Sequence, residues 1–137
     1  MVRNAPLILG IRAIAYAIAA GNTVILKVSE FSPRTFWGIG AAFTEAGLPK
    51  GVLNIISHRP QDAAAVTTAL IEHPAVKKIN FTGSTAVGSI IAQTAAKHVK
   101  PVLMELGGKA STLVLDDADI KRAAHASALG AFLHVSS

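Results

Sequence analysis

Gly21-Asn22-Thr23-Val24-Ile25-Leu26-Lys27 reads as a helix stop followed at once by a buried strand, and this junction decides the fold. Gly tolerates the left-handed backbone that ends a helix. The continuous apolar run after it has strand length and no polar alternation, the pattern of a strand covered on both faces. Upstream, Pro6 to Ala20 is apolar and Ala-rich, with Pro in the first turn, and predicts a helix. Downstream, Ser32-Pro33 opens a second predicted helix that runs to about Ala46, where Gly47 stops it.

The same alternation continues to the end. Gly51 to Ile56 predicts a strand, Gln61 to Glu72 a helix, and Val76 to Phe81 a third strand broken by Gly83. Ser84 to His98 predicts a helix with Val87, Ile90, Ile91 and Ala95 on one face. Pro101 to Leu106 and Ser111 to Leu115 read as two more strands around Gly107-Gly108, and Asp117 to about Val135 as a last helix capped by Asp116 or Asp117. Strands separated by helices imply parallel pairing and right-handed crossovers. The expectation is an α/β chain: a doubly wound, mostly parallel, five-stranded Rossmann-like sheet with flanking helices. No repeat, linker or low-complexity segment interrupts it, so 1–137 reads as a single domain.

Composition narrows the function. Hydrophobic residues are 51% and charged residues 15% of the 137 residues, against about 25% charged in a typical domain. That excess of apolar surface predicts cover by another surface, with a homo-oligomer expected. Net charge is +5, but the basic residues spread from Arg3 to Arg122 without a long run. This argues for a small anionic ligand and against nucleic acid. Leu7–Ala20 contains Arg12, is too short for a membrane span and lacks the layout of a signal peptide, so a cytoplasmic, non-membrane protein is expected. The chain contains no Cys, which excludes disulfides and any cysteine nucleophile supplied by these residues. The five His are scattered without ligand spacing, and no metal is expected.

In open α/β sheets ligands bind beyond the carboxyl ends of the strands. Four stretches meet that condition. Asn80-Phe81-Thr82-Gly83-Ser84-Thr85-Ala86-Val87-Gly88 frames a turn into a helix start suited to pyrophosphate, or a plain strand–helix turn, its G-x-x-x-x-G spacing being neither the dinucleotide fingerprint nor a P-loop. Lys27-Val28-Ser29-Glu30 places a cation and a carboxylate where a ribose diol could be held, or simply a surface pair. Glu105-Leu106-Gly107-Gly108-Lys109 offers a carboxylate for general-base work, or a solvated turn. The Asn4 amide could donate to an oxyanion, or cap the first helix.

In this order and spacing, and with Gly47-Leu48-Pro49-Lys50-Gly51-Val52-Leu53-Asn54, these stretches resemble the aldehyde dehydrogenase superfamily, in particular its salicylaldehyde-dehydrogenase-like branch. The resemblance covers nearly the whole chain. It implies that Lys27 and Glu30 contact the adenosine ribose of NAD, with Glu30 disfavouring a 2′-phosphate. It implies that Gly83, Ser84 and Gly88 form the pyrophosphate turn, that Glu105 is the general base and that Asn4 is the oxyanion amide. The chain departs from the family pattern where Val28 replaces a Pro, where Arg3 replaces an aromatic residue, and where Ser136-Ser137 stand short of the expected Cys. The resulting expectation is a truncated, NAD-binding core that does not oxidise aldehydes by itself. Two further readings stay open: a non-redox acid/base enzyme such as an isomerase or cyclase using Glu105, Asn4 and Lys27, and a non-catalytic partner of a longer dehydrogenase.

Overall fold

A computed structural model describes residues 5–132. The backbone forms two compact units, Met1–Leu106 and Gly107–Ser137, taken separately below.

The first unit is an alternation of helices and parallel strands. Helix α1 (Pro6–Ala19) precedes β1 (Val24–Lys27), and α2 (Pro33–Glu45) crosses from β1 to β2 (Leu53–Ile56). A short 3₁₀ turn (Pro60–Asp62) leads into α3 (Ala63–Glu72), then β3 (Ile79–Thr82), α4 (Thr85–Lys97) and β4 (Val102–Glu105). β1 pairs with β2 in parallel, Lys27 opposite Ile56. β3 pairs with β4 in parallel, Thr82 opposite Glu105.

The helix ends follow from local chemistry. After α1, Gly21 N–H bonds Ile18 O and Asn22 N–H bonds Ala17 O. After α2, Gly47 and Leu48 repeat the pattern on Thr44 and Phe43. Both glycines have positive φ, 76° and 84°, as this C-terminal cap requires. α4 ends the same way, with Val99 N–H on Ala96 O and Lys100 N–H on Ala95 O. There the left-handed position is occupied by Val99, φ 53°.

Two apolar clusters hold the unit. Ile14, Leu26, Val28, Phe36 and Ile39 bury together between α1, β1 and α2. Gly10 lets the two helices meet: a Cβ there would lie 2.8 Å from the Phe36 ring. Ile71, Ile91 and Ala95 form the second cluster, with Ile79, Phe81 and Met104 packed against it. Side chains alternate across a strand, so Asn80, Thr82, Leu103 and Glu105 lie on the other face of the β3–β4 ladder. α1 reaches that face, since Asn80 Nδ2 donates to Ala13 O at 3.1 Å.

In the second unit α5 (Ile120–Phe132) follows a segment without helix or strand. Asp119 Oδ1 accepts from Arg122 N at 3.1 Å and so performs the capping expected of Asp116 or Asp117. None of the described α5 residues is buried.

The α/β class and the parallel strands with flanking helices agree with expectation. The sheet itself differs from the expected five-stranded one. Among the described residues four strands form two separate pairs, and Ser111–Leu115 is not a strand. A strand needs a neighbouring row of backbone donors and acceptors. An apolar run expresses only a preference for burial, and Leu113 remains 87% exposed.

Candidate functional site

The carboxyl end of the β3–β4 ladder gathers four of the residues singled out by sequence. Gly83 N–H donates to Glu105 O at 3.0 Å, extending the ladder by one bond. Ser84 then turns the chain into α4: its Oγ accepts from Val87 N at 3.4 Å, and its carbonyl accepts from Gly88 N at 2.9 Å. Thr85 and Ala86, the first two helical residues, have amides bonded to no acceptor among the described residues. Such amides, with the positive end of the helix dipole, suit a phosphate oxygen. The turn is shaped by packing. A Cβ on Gly83 would lie 2.6 Å from the Phe81 ring, and one on Gly88 would lie 2.5 Å from Leu106 Cδ2.

Glu105 points its carboxylate toward α1. Its Oε2 lies 3.9 Å from Arg12 Nη2, with the two side chains 57% and 48% exposed. A carboxylate this open remains within reach of a substrate proton or a water.

Lys27 and Glu30 flank the carboxyl end of β1. Both are partly buried. Burial pushes the Lys27 ammonium below its usual 10.5, and the Glu30 carboxylate partly offsets that effect. The turn between them is tied by Ser29, which is fully buried and whose Oγ accepts from Phe31 N at 3.3 Å. Val28 is itself buried in the first core cluster and its N–H donates to Ile56 O, so this departure from the family's Pro adds a rung to the β1–β2 ladder.

Asn4 lies outside the described residues, as do Arg3, Ser136 and Ser137. Gly83, Ser84, Gly88 and Glu105 come together at one ladder end, while Lys27 and Glu30 sit together at the end of the other. Sequence reading gave no role to two residues, Arg12 and Asn80. Each carried a signal: Arg12 is the single charge in the apolar run Leu7–Ala20, and Asn80 is a polar residue inside a strand.

The donors present suit a dinucleotide. Unbonded amides stand at the start of α4, and a cation beside a carboxylate stands at the end of β1. Among the described residues no group of three or more His, Cys, Asp or Glu could hold a metal ion. No helix among them is long and apolar enough to cross a membrane.

Residues 3–135 match the aldehyde dehydrogenase family. A vanillin dehydrogenase from Pseudomonas sp. (strain HR199) is 56% identical over 131 residues, covering 96% of this chain and 27% of that protein. The crystal structure of a salicylaldehyde dehydrogenase from Pseudomonas putida G7, complexed with salicylaldehyde, superposes with TM-score 0.86 at 53% identity, over 91% of this chain and 26% of that one. The crystal structure of an NAD-dependent aldehyde dehydrogenase from Sinorhizobium meliloti superposes with TM-score 0.83 at 38% identity, over 93% and 25% of the two chains. The chain thus spans about a quarter of the length of the relatives it matches. From residue 3 to residue 135, this chain belongs to the aldehyde dehydrogenase family.

Proposed function

We propose that these residues form the NAD-holding part of an aldehyde dehydrogenase acting on aromatic aldehydes. The carrying observation is the start of α4, where Ser84 caps the helix at a parallel-ladder end and leaves the Thr85 and Ala86 amides unbonded. Those amides, with the Gly83–Gly88 turn, receive the pyrophosphate. Lys27 and Glu30 take the adenosine ribose, and the Glu30 carboxylate repels a 2′-phosphate. Glu105 serves as general base and Asn4 as oxyanion donor. When bound, the cofactor supplies the hydride acceptor. The aromatic class is supported by the vanillin and salicylaldehyde dehydrogenases among the relatives.

The 137 residues contain no Cys, and family chemistry needs a thiolate to add to the aldehyde before hydride leaves. By itself, therefore, this chain binds NAD without oxidising aldehydes. Calorimetric titration with NAD should show binding, and no heat at millimolar cofactor would remove the reading. NADH formation from salicylaldehyde that disappears in Glu105→Gln would overturn the claim of inactivity.

Exposed apolar surface favours a second, compatible reading, self-association of the chain in the cytoplasm. Phe132 is 82% and Leu113 87% exposed, and α5 has no buried residue among those described. Apolar surface on this scale calls for cover. Light scattering should give a mass above that of one chain.

A further inference from the structure

The chain has eight lysines, and their settings differ. Lys50, Lys77, Lys78, Lys97, Lys109 and Lys121 are exposed, whereas Lys27 and Lys100 are partly buried. The Lys100 ammonium is committed to two carbonyls, Ile71 O and His73 O. Lys27 Nζ, at the carboxyl end of β1, donates to no acceptor and sits in no close ion pair among the described residues. The amine is nevertheless not sealed in. Among the described residues the buried side-chain nitrogen or oxygen lacking a partner is His58 Nε2 alone. Lys27 Nζ also lacks a partner, so it keeps surface open to solvent.

The strand end holds this amine in place. Lys27 stands opposite Ile56 in the β1–β2 ladder, and both its chain neighbours, Leu26 and Val28, lie in the first core cluster. Beyond it the turn to Glu30 is tied by Ser29 Oγ, which accepts from Phe31 N. Burial lowers the Lys27 pKa from 10.5 by more than the Glu30 carboxylate raises it. More of the amine is therefore uncharged at neutral pH than in an ordinary lysine. The uncharged, partly desolvated form is the one that adds to carbonyl carbons.

We propose that Lys27 is a covalent capture site for aromatic aldehydes, its Nζ condensing with the carbonyl carbon to an imine. The nitrogen lone pair forms the C–N bond as the carbonyl π bond opens onto oxygen. A proton passes from nitrogen to that oxygen, giving a carbinolamine. The hydroxyl then leaves with the second nitrogen proton as water, and C=N remains. Nothing is oxidised or reduced. Conjugation with the ring stabilises an aryl imine, and an ortho hydroxyl adds a hydrogen bond to its nitrogen. The class of aldehyde rests on the function proposed above; the amine and its setting do not.

The test is peptide mapping of the full chain after brief exposure to limiting salicylaldehyde at neutral pH and reduction by borohydride, which fixes an imine as a stable amine. Most of the label should sit on Lys27, with the absorbance of a salicylaldimine appearing before reduction. In urea, where the strand end no longer exists, the preference should vanish. Lys27→Met should lose most of the label and of the absorbance, and Lys50→Met should keep both. Label spread evenly over the lysines, label centred on another lysine, or a preference for Lys27 that persists in urea would each overturn the proposal. Calorimetry with NAD keeps the two readings apart. Fixed label should abolish NAD binding where Lys27 also holds the ribose; NAD binding that survives the label removes that role and leaves the capture site standing. Absence of NAD binding by the untreated chain removes the cofactor reading alone.

Discussion

Arg12 Nη2 and Glu105 Oε2 lie 3.9 Å apart, joining the first helix to the end of the last strand of the first unit. Next to Arg12, Ala13 O accepts from Asn80 Nδ2 at 3.1 Å. One turn of α1 therefore carries both an ion pair and a hydrogen bond to the β3–β4 ladder. The two differ in worth. An ion pair this exposed, at 3.9 Å, contributes well under about 1 kcal/mol, whereas the Asn80–Ala13 hydrogen bond contributes about 1 kcal/mol. Urea midpoints should therefore fall more for Asn80→Leu than for Arg12→Gln, and α1 amides should exchange faster with deuterium in Asn80→Leu. A larger loss in Arg12→Gln would reverse the ranking.

Gly10→Ala tests the α1–α2 contact. Ala improves helix propensity by about 1 kcal/mol. The added methyl, however, meets the Phe36 ring at 2.8 Å and Ile39 at 3.0 Å, and Phe36 is fully buried. Overpacking of a closed core costs about 1–3 kcal/mol, so the variant should melt at lower temperature. Phe36→Leu in the same chain should recover part of the loss, because the two changes share one contact.

Val99 occupies the left-handed cap position that Gly21 and Gly47 hold after the earlier helices. Left-handed backbone costs a side-chain-bearing residue about 1–2 kcal/mol. At 91% exposure Val99 gives up little packing in exchange. Val99→Gly should stabilise the chain by about 1 kcal/mol after the entropy of the freer unfolded residue is subtracted, read as a rise in denaturation midpoint.

Lys27 links stability to alkaline pH. Burial lowers its pKa from 10.5, with Glu30 offsetting part of the effect. Between the lowered value and 10.5 the unfolded chain binds more protons than the folded one, so Lys27 makes stability rise with pH across that window. Below the window both states are charged and the burial penalty is constant. Lys27→Met should accordingly be more stable than wild type at neutral pH, with the difference closing as pH passes 10.5. A gap that widens with pH would contradict this origin.

Lys100 supplies a further contrast. Its ammonium donates to Ile71 O and His73 O, closing the C-terminal end of α3. Nothing in the local pattern around Lys100 marks it, because its partners lie 27 and 29 residues earlier. The partners of Arg12 and Asn80 are also distant in the chain, Glu105 and Ala13. Their residue types were visible, but which atoms they would meet depends on how separate elements pack.

Local rules alone sufficed for the rest. Gly21 and Gly47 stop helices because their backbones reach positive φ, and Ser84 starts one because its oxygen can accept an amide. The runs at Val24–Lys27 and Ile79–Thr82 are strands because they are short and rich in β-branched and aromatic residues. These are interactions within a few residues, and a sequence determines them directly, including the order of helices and strands and the absence of a thiol. Strand pairing is different in kind. Whether Ser111–Leu115 joins a sheet depends on a partner distant in the chain, and that is a matter of the whole packing. The same holds for Asn80: sequence supplied an amide, and only the packing of α1 against the β3–β4 ladder brought it to Ala13 O, 67 residues away.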